Sequence, residues 1–237
     1  MKGQAEKKIG ILILENNPFG DIYGTNKMTV MGSMGNPSTF RFPVLYEIVP
    51  GATGDRVVGG DKTLVERYIL SANNLVGRGA TLLTTNCGFT ILFQKDLSEA
   101  VPVPIITSSL TLIPFVFNLI SRNGQIGVIT FNKKSLLKNY FPSAGIDNYQ
   151  SRLVVEGLSE KASWKKLNDP KPMVDPEMMR EDLLNVCRKI HRRHPKLEAV
   201  ILECTALPQF RQDVNFIFKV PVFDIIDAVH FVMNSLS

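Results

Sequence analysis

The feature that most constrains the fold is an internal repeat with a constant separation along the chain. Cys87 and Cys204 are one matched pair, with 204 − 87 = 117 positions between them. Two apolar pairs have the same separation, namely Ile9-Gly10-Ile11 with Ile126-Gly127-Val128, and Val103-Pro104 with Val220-Pro221. Because the three pairs are spread over most of each half, we interpret the chain as a duplication.

Strand and helix patterns alternate in both halves. Short aliphatic runs that end in turn residues predict buried parallel strands, and apolar residues at helical spacing predict helices between them. The expected strands are Lys8–Leu14, Val44–Val49, Ala80–Thr84, Val103–Thr107, Gln125–Phe131, Ser151–Val155, Ala199–Leu202 and Val220–Phe223. The expected helices are Asp61–Gly77, Thr90–Ala100, Ser135–Phe141, Pro176–His191 and one from Asp224.

This alternation predicts an α/β fold of two pseudo-symmetric halves, each with a parallel sheet flanked by helices. We expect residues 1–114 to form the first half, with Cys87, and residues 115–223 to form the second, with Cys204. The C-terminal helix, 224–237, is expected to return to the first half.

Composition excludes several classes of protein. With 44% hydrophobic residues among 237, the chain has enough apolar material for a real core. The net charge of +5 comes from short basic pairs such as Lys133-Lys134 rather than a basic stripe, so we expect no nucleic-acid partner. The apolar runs Ile9–Leu14 and Leu110–Ile120 are too short for a signal sequence or a membrane span, so we expect a cytoplasmic protein without a membrane partner.

The three cysteines have neither the Cys-x-x-Cys nor the Cys/His spacing of a zinc site, so we expect no metal and no disulfide framework. Cys87 and Cys204 each follow a predicted strand, where parallel sheets bind their ligands. A loop that opens a helix also offers free N–H groups, which lower a thiol pKa and hold a carboxylate. Cys187 lies inside a predicted helix, and we interpret it as a buried core residue.

If the halves pack around a pseudo-twofold axis, the two thiols flank one ligand. One thiolate then removes a proton from a carbon while the opposite thiol returns one to the other face, which inverts a stereocentre. Loop amides and the Thr205 hydroxyl would stabilise the enediolate. A transient redox disulfide between Cys87 and Cys204 is the alternative use of the same pair.

The segment Leu202-Glu203-Cys204-Thr205-Ala206-Leu207-Pro208 resembles the second cysteine motif of the aspartate/glutamate racemase superfamily, which includes hydantoin racemases, maleate isomerases and arylmalonate decarboxylases. The resemblance implies two flavodoxin-like halves, a mechanism without cofactors in which Cys87 and Cys204 are the two bases, and a homodimer. The residues expected to bind the carboxylate of a small-molecule substrate are Asn16, Thr85, Asn86, Gly88, Phe89 and Thr205.

Three positions depart from the family pattern. Amino-acid racemases of the family follow the first cysteine with Asn-Thr, whereas this chain has Gly88-Phe89, and Ala206 replaces a common acid or histidine. Glu203 either takes a polar role in the site or forms a structural ion pair. The presence of both cysteines argues against the decarboxylase branch.

We therefore expect a cofactor-independent racemase or isomerase of a small carboxylate, an amino acid or a related compound. The alternatives are a ligand-binding or regulatory protein of the same fold without turnover, and an activity of the hydantoin racemase or maleate isomerase type. The sequence does not identify the substrate.

Overall fold

The computed structural model describes residues 6–16, 31–146, 151–168 and 175–236, and its strands form two four-stranded parallel sheets. The first sheet has the order β2-β1-β3-β4 and the second has the order β6-β5-β7-β8. The strands are β1 (Ile9–Leu14), β2 (Val44–Val49), β3 (Leu82–Thr85), β4 (Ile105–Ile106), β5 (Gln125–Thr130), β6 (Leu153–Gly157), β7 (Leu197–Leu202) and β8 (Val222–Phe223).

Helices flank both sheets. They are α1 (Gly54–Gly59), α2 (Val65–Gly77), α3 (Gln94–Ala100), α4 (Ile113–Phe117), α5 (Lys133–Asn139), α6 (Ala162–Lys165), α7 (Pro176–Arg193), α8 (Arg211–Phe218) and α9 (Ile225–Ser235). This architecture confirms the predicted α/β class with two similar halves. Within the described residues, no helix has both the length and the apolar character needed to cross a membrane.

The strand register repeats with the separation found in the sequence. Gly10 on β1 is paired with Leu83 on β3, and Gly127 on β5 is paired with Val200 on β7. Each residue of the second pair lies 117 positions after its counterpart, since 127 − 10 and 200 − 83 are equal. The duplication is therefore visible in hydrogen-bonded pairs as well as in sequence matches.

Strand β1 is buried on both faces, which explains its continuous aliphatic sequence. Ile9, Ile11 and Ile13 contribute to a cluster with the buried residues of α9, whereas Leu12 and Leu14 contribute to the larger core. Helix α9 therefore packs on the first sheet. The exact division of the chain at residue 114 stays a prediction, and Ser237 lies outside the described residues.

Two predicted elements differ in the structure, one in helix type and one in length. The predicted helix over Thr90–Ala100 starts as a 3-10 helix at Gly88–Phe93 and becomes α-helical only in α3. The predicted strand Val103–Thr107 shrinks to β4, because Pro102 and Pro104 lack the N–H groups of a longer ladder. Both changes lie next to the loop that carries Cys87.

Candidate active site

Two loops in equivalent positions carry the cysteines. Strand β3 ends at Thr85 and strand β7 ends at Leu202, so Cys87 and Cys204 each follow two residues later, at the carboxyl edge of their sheet. Both thiols are free and half-buried. They line the same cavity, which has a volume of ≈ 80 Å³ and therefore favours a ligand of few heavy atoms.

The two loops supply most of the polar groups of this cavity, and other segments supply most of its apolar walls. The loop residues that line it are Asn86, Cys87, Gly88, Phe89, Glu203, Cys204, Thr205 and Ala206. The remaining lining residues are Leu14, Asn16, Gly54, Val58, Phe131 and Leu167. Leu14, Val58, Phe131 and Leu167 were not predicted as site residues, because nothing in an apolar residue's local pattern separates a cavity wall from the core.

Hydrogen bonds fix the two loops to β1 and to each other. The Asn86 side-chain oxygen accepts from the Leu14 amide at 2.8 Å, and the Asn86 amide donates to the Leu12 carbonyl at 3.0 Å. The Thr205 hydroxyl donates to the Asn86 carbonyl across the two halves. Asn86 and Thr205, which were both predicted to bind the substrate, thus line the cavity and also hold the two loops in place.

The other predicted binding residues differ in position. Asn16 lines the cavity, and its side-chain oxygen accepts from the Gly54 amide at 3.0 Å at the start of α1. Thr85 is buried beneath the loop and does not line the cavity; its hydroxyl lies 2.9 Å from the Thr107 carbonyl and 3.0 Å from the Cys87 carbonyl. This position favours a role for Thr85 in holding the loop. Direct substrate contact by any of these residues stays a prediction.

Gly88, one of the departures from the family pattern, and the neighbouring Glu203 are parts of one feature. The Glu203 side chain is fully buried, its Oε2 accepts from the Thr130 hydroxyl at 2.6 Å, and its Oε1 has no hydrogen-bond partner in the described part of the chain. A Cβ atom at position 88 would lie 2.2 Å from Oε1 and 2.4 Å from the Glu203 carbonyl oxygen. Only glycine therefore fits beside this carboxyl group.

Tyr140 contacts both the Cys87 loop and α1 beside the cavity. Its ring packs edge-to-face on Phe89, with 4.9 Å between ring centroids, and its hydroxyl donates to the Val57 and Val58 carbonyls at 2.8 and 3.1 Å. Tyr140 follows α5 in the second half, whereas α1 belongs to the first half. The contact joins the two halves beside the cavity, and no local sequence pattern indicates it.

Burial raises the pKa of Cys87 to about 12, and the charge of Glu203 raises it as well, while the Phe89 and Thr90 amides lower it less. Burial and then Glu203 also raise the pKa of Cys204 well above its usual value. The expectation that loop amides give low thiol pKa values is therefore wrong: the amides are present, but desolvation outweighs them. Burial raises the pKa of Glu203 itself to about 7, against hydrogen bonds from Thr130 and the Phe131 amide.

The described lining residues include no Lys, Arg or His, so the donors that they offer to a carboxylate are amides and hydroxyls. In the same described residues, no cluster of three or more His, Cys, Asp or Glu side chains is arranged to hold a metal ion. Cys187 is fully buried in α7 as expected. Trp164 is also fully buried, and its indole N–H donates to the Met179 carbonyl at 2.9 Å, which is a structural role.

Solved structures of racemases and of a decarboxylase share this fold. Aspartate racemase from Picrophilus torridus matches with a TM-score of 0.62 and 17% identity, covering 97% of this chain and 93% of that chain. Allantoin racemase from Pseudomonas fluorescens gives 0.60 and 16%, covering 96% and 90%, and arylmalonate decarboxylase gives 0.57 and 14%, covering 97% and 91%. The chain has the fold of the aspartate/glutamate/hydantoin racemase-like superfamily.

Curated sequence relatives carry a different enzyme name. A dimethylsulfoniopropionate lyase from Durusdinium sp. clade D is 28% identical over 206 residues, which are 84% of this chain and 68% of that protein. Dimethylsulfoniopropionate lyase 3 from Emiliania huxleyi is 27% identical over 215 residues, which are 87% of this chain and 56% of that protein. The chain thus spans between about half and two thirds of the length of these relatives. No family profile matches the sequence.

Proposed function

We propose that this protein is a lyase that removes a proton next to the carboxylate of a small substrate and thereby releases dimethyl sulfide from dimethylsulfoniopropionate. The observation that carries the proposal is the pair of free, half-buried cysteines on one small cavity at equivalent strand ends. The names of the sequence relatives supply the substrate, and the racemase-like fold is consistent with chemistry at the carbon next to a carboxylate.

In this substrate the sulfonium group is bonded to the carbon β to the carboxylate. Because burial keeps both thiols neutral near pH 7, a cysteine must first lose its own proton. The resulting thiolate takes the proton from the α-carbon, and the electron pair enters the carboxylate as an enediolate. That pair then forms the carbon–carbon double bond while the carbon–sulfur bond breaks and its electrons leave on sulfur. The products are acrylate, dimethyl sulfide and the proton held by the thiol, so atoms and charge balance without an oxidant or reductant.

The cavity offers donors for the developing enediolate. The Phe89 amide lowers the pKa of Cys87 and the Ala206 amide lowers that of Cys204, so these two N–H groups are our candidate donors to a carboxylate bound between the thiols. Dimethyl sulfide is a neutral leaving group that needs no proton. Elimination therefore requires one base, and the second cysteine is free to position the substrate or to act as a proton donor.

The test is direct product detection with the purified chain. Incubation with dimethylsulfoniopropionate is expected to give equal amounts of dimethyl sulfide in the headspace and acrylate in solution. Racemisation of a small carboxylate is the second candidate, favoured by the equivalence of the two thiols, since inversion needs an acid and a base on opposite faces. Release of neither product, together with deuterium uptake from heavy water at the α-carbon of an amino acid or hydantoin, would favour that candidate instead.

A further inference from the structure

The buried carboxyl group of Glu203 lies between the two cysteine loops and has no positively charged neighbour among residues 6–16, 31–146, 151–168 and 175–236. It is covalently next to Cys204, and its Oε1 packs on Gly88, which is next to Cys87. Oε1 has no hydrogen-bond partner in the described part of the chain, and Glu203 forms no ion pair there. The structural ion pair considered from the sequence is therefore not formed among these residues.

A buried carboxylate without a partner is costly, so it must either keep a proton or gain a cation. None of the described residues lining the cavity is a cation, so among these residues nothing compensates the charge, and a bound ligand or a proton would do so. The other lining groups that titrate are the thiols of Cys87 and Cys204, and their raised pKa values keep both neutral near pH 7.

The walls around this carboxyl group suit the methyl groups of an onium ion. Phe89 and Phe131 are aromatic and nearly fully buried, and Leu14, Val58 and Leu167 are aliphatic. Aromatic and aliphatic surfaces accept a methylated cation because its charge is spread over weakly hydrated methyl groups, and aromatic faces add electrostatic attraction. A carboxylate beside such walls combines a negative charge with apolar surface, the two features that recognise an onium group.

We infer that Glu203 is the substrate-binding residue for the cationic group, and that the cavity selects small carboxylates that carry a sulfonium or quaternary ammonium group. The inference rests on the proposed function, because it places the onium group of the substrate at Glu203 and its carboxylate at the loop amides. It also explains why position 88 is glycine, since any side chain there would displace the Glu203 carboxyl group that binds the onium group. A bound cation beside Glu203 would favour the thiolate that removes the proton.

The test uses two ligands that differ in charge but hardly in shape. One is the trimethylammonio analogue of dimethylsulfoniopropionate, whose amine is a poor leaving group. The other has the same carboxylate, but an uncharged tert-butyl group replaces the trimethylammonio group. In calorimetric titration of the wild-type chain at about pH 8, we expect the trimethylammonio ligand to bind at least roughly tenfold more tightly than the tert-butyl ligand. This factor corresponds to the lower end of the coupling energies of close charge pairs. In Glu203→Gln the preference is expected to fall to about twofold or less, whereas the exposed control Glu160→Gln keeps it.

A second measurement uses only the wild-type chain, so its result does not depend on whether Glu203→Gln folds. Because the pKa of Glu203 is about 7 and the carboxylates of both ligands stay ionised, the preference should shrink as the pH is lowered from about 8 to about 5.5. Cys87, Cys204 and Tyr140 also lie near this carboxyl group, but their raised pKa values keep them neutral over that range.

The outcomes separate this inference from the proposed function. A folded Glu203→Gln chain with an unchanged preference, or a preference that does not vary with pH, would overturn the inference even if dimethyl sulfide is released. Preferential binding of the cation without dimethyl sulfide release would support the inference and remove the lyase. If Glu203→Gln lowers turnover but leaves the preference unchanged, Glu203 acts on protons rather than on the cation and the inference is wrong.

Discussion

At the residue scale, the close contact between Gly88 and Glu203 determines what the site can tolerate. For Gly88→Ala we expect a loss of about 3 kcal/mol of unfolding free energy, the range for overpacking a buried position, together with loss of activity. Glu203→Gln should not rescue it, because the Glu203 carbonyl oxygen would still lie 2.4 Å from the new Cβ. Urea titrations measure the effect.

The control for that substitution is Gly77→Ala, because Gly77 is exposed at the end of α2 and a Cβ there would have nothing within 4 Å. It should change the unfolding free energy by about 1 kcal/mol or less, in the stabilising direction. Equal stability of Gly88→Ala and the wild type would contradict the contact described for Glu203.

The charge of Glu203 also sets the reactivity of both thiols. Glu203→Gln removes a negative neighbour, so the pKa values of Cys87 and Cys204 should fall and alkylation by iodoacetamide at about pH 8.5 should become roughly three- to tenfold faster. Below about pH 6 the difference should vanish, because Glu203 is then protonated in the wild type as well. Mass mapping of each cysteine reports the rates, and unchanged or slower alkylation at high pH would count against the coupling.

The same carboxyl group makes stability depend on pH. In the unfolded chain it ionises near pH 4.5 and in the folded chain near 7, so between these values the folded state keeps a proton that the unfolded state has lost. Raising the pH through this window therefore destabilises the fold, by roughly 3 kcal/mol for this one group. The fall in unfolding free energy from about pH 5 to about pH 8 should be smaller by that amount in Glu203→Gln.

Asp224 provides an internal reference for this prediction. Burial raises the pKa of its carboxyl group to about 6, so Asp224 also makes the unfolding free energy fall as the pH rises. Its contribution is the same in the wild type and in Glu203→Gln, and it therefore cancels when the two are compared. An identical pH dependence in the wild type and in Glu203→Gln would show that Glu203 does not titrate near neutrality in the folded protein.

At the element scale, Tyr140 links α5 of the second half to α1 of the first. For Tyr140→Phe we expect a loss of about 1 kcal/mol, because the Val57 and Val58 carbonyls lose a donor, and a higher KM, because α1 supplies Gly54 and Val58 to the cavity. Thermal unfolding and steady-state kinetics test both parts.

The matched control is Tyr46→Phe. Its hydroxyl donates to the Met34 carbonyl at 3.1 Å and Tyr46 does not line the cavity. A similar loss of stability with unchanged KM is expected for this control. If Tyr140→Phe also leaves KM unchanged, the contact between the halves contributes to stability alone.

Elements whose signals are local were predictable from the sequence. Helix α7 begins at Pro176 as expected, because Asp175 caps it and proline suits the first turn. The 3-10 start of the stretch after Cys87 was not predictable from local signals, and its Gly88 and Phe89 contact Glu203 and Tyr140, which are distant in sequence. The raised thiol pKa values were not predictable either, because the local pattern around a cysteine does not show how deeply the fold buries it.

At the scale of the whole molecule, the duplication gave the strongest prediction. A separation of 117 residues relates Cys87 to Cys204, which lie at equivalent strand ends. The same separation relates the strand pairing of Gly10 in the first sheet to that of Gly127 in the second. The apolar walls and the pairing of Gly88 with Glu203 required the structure, because they arise only when the two halves meet. The expected racemase chemistry is now one of two candidates, since the sequence relatives carry the name of a lyase.

The central claim is that a thiol of this shared cavity removes the proton that starts the reaction. The most direct measurement is dimethyl sulfide release from dimethylsulfoniopropionate by Cys87→Ser and Cys204→Ser, with Cys187→Ala as the control outside the cavity. We expect at least one cavity variant to lose roughly a hundredfold or more of the wild-type rate, the scale of general-base catalysis, and the control to keep it. Wild-type rates in both folded cavity variants would contradict the account.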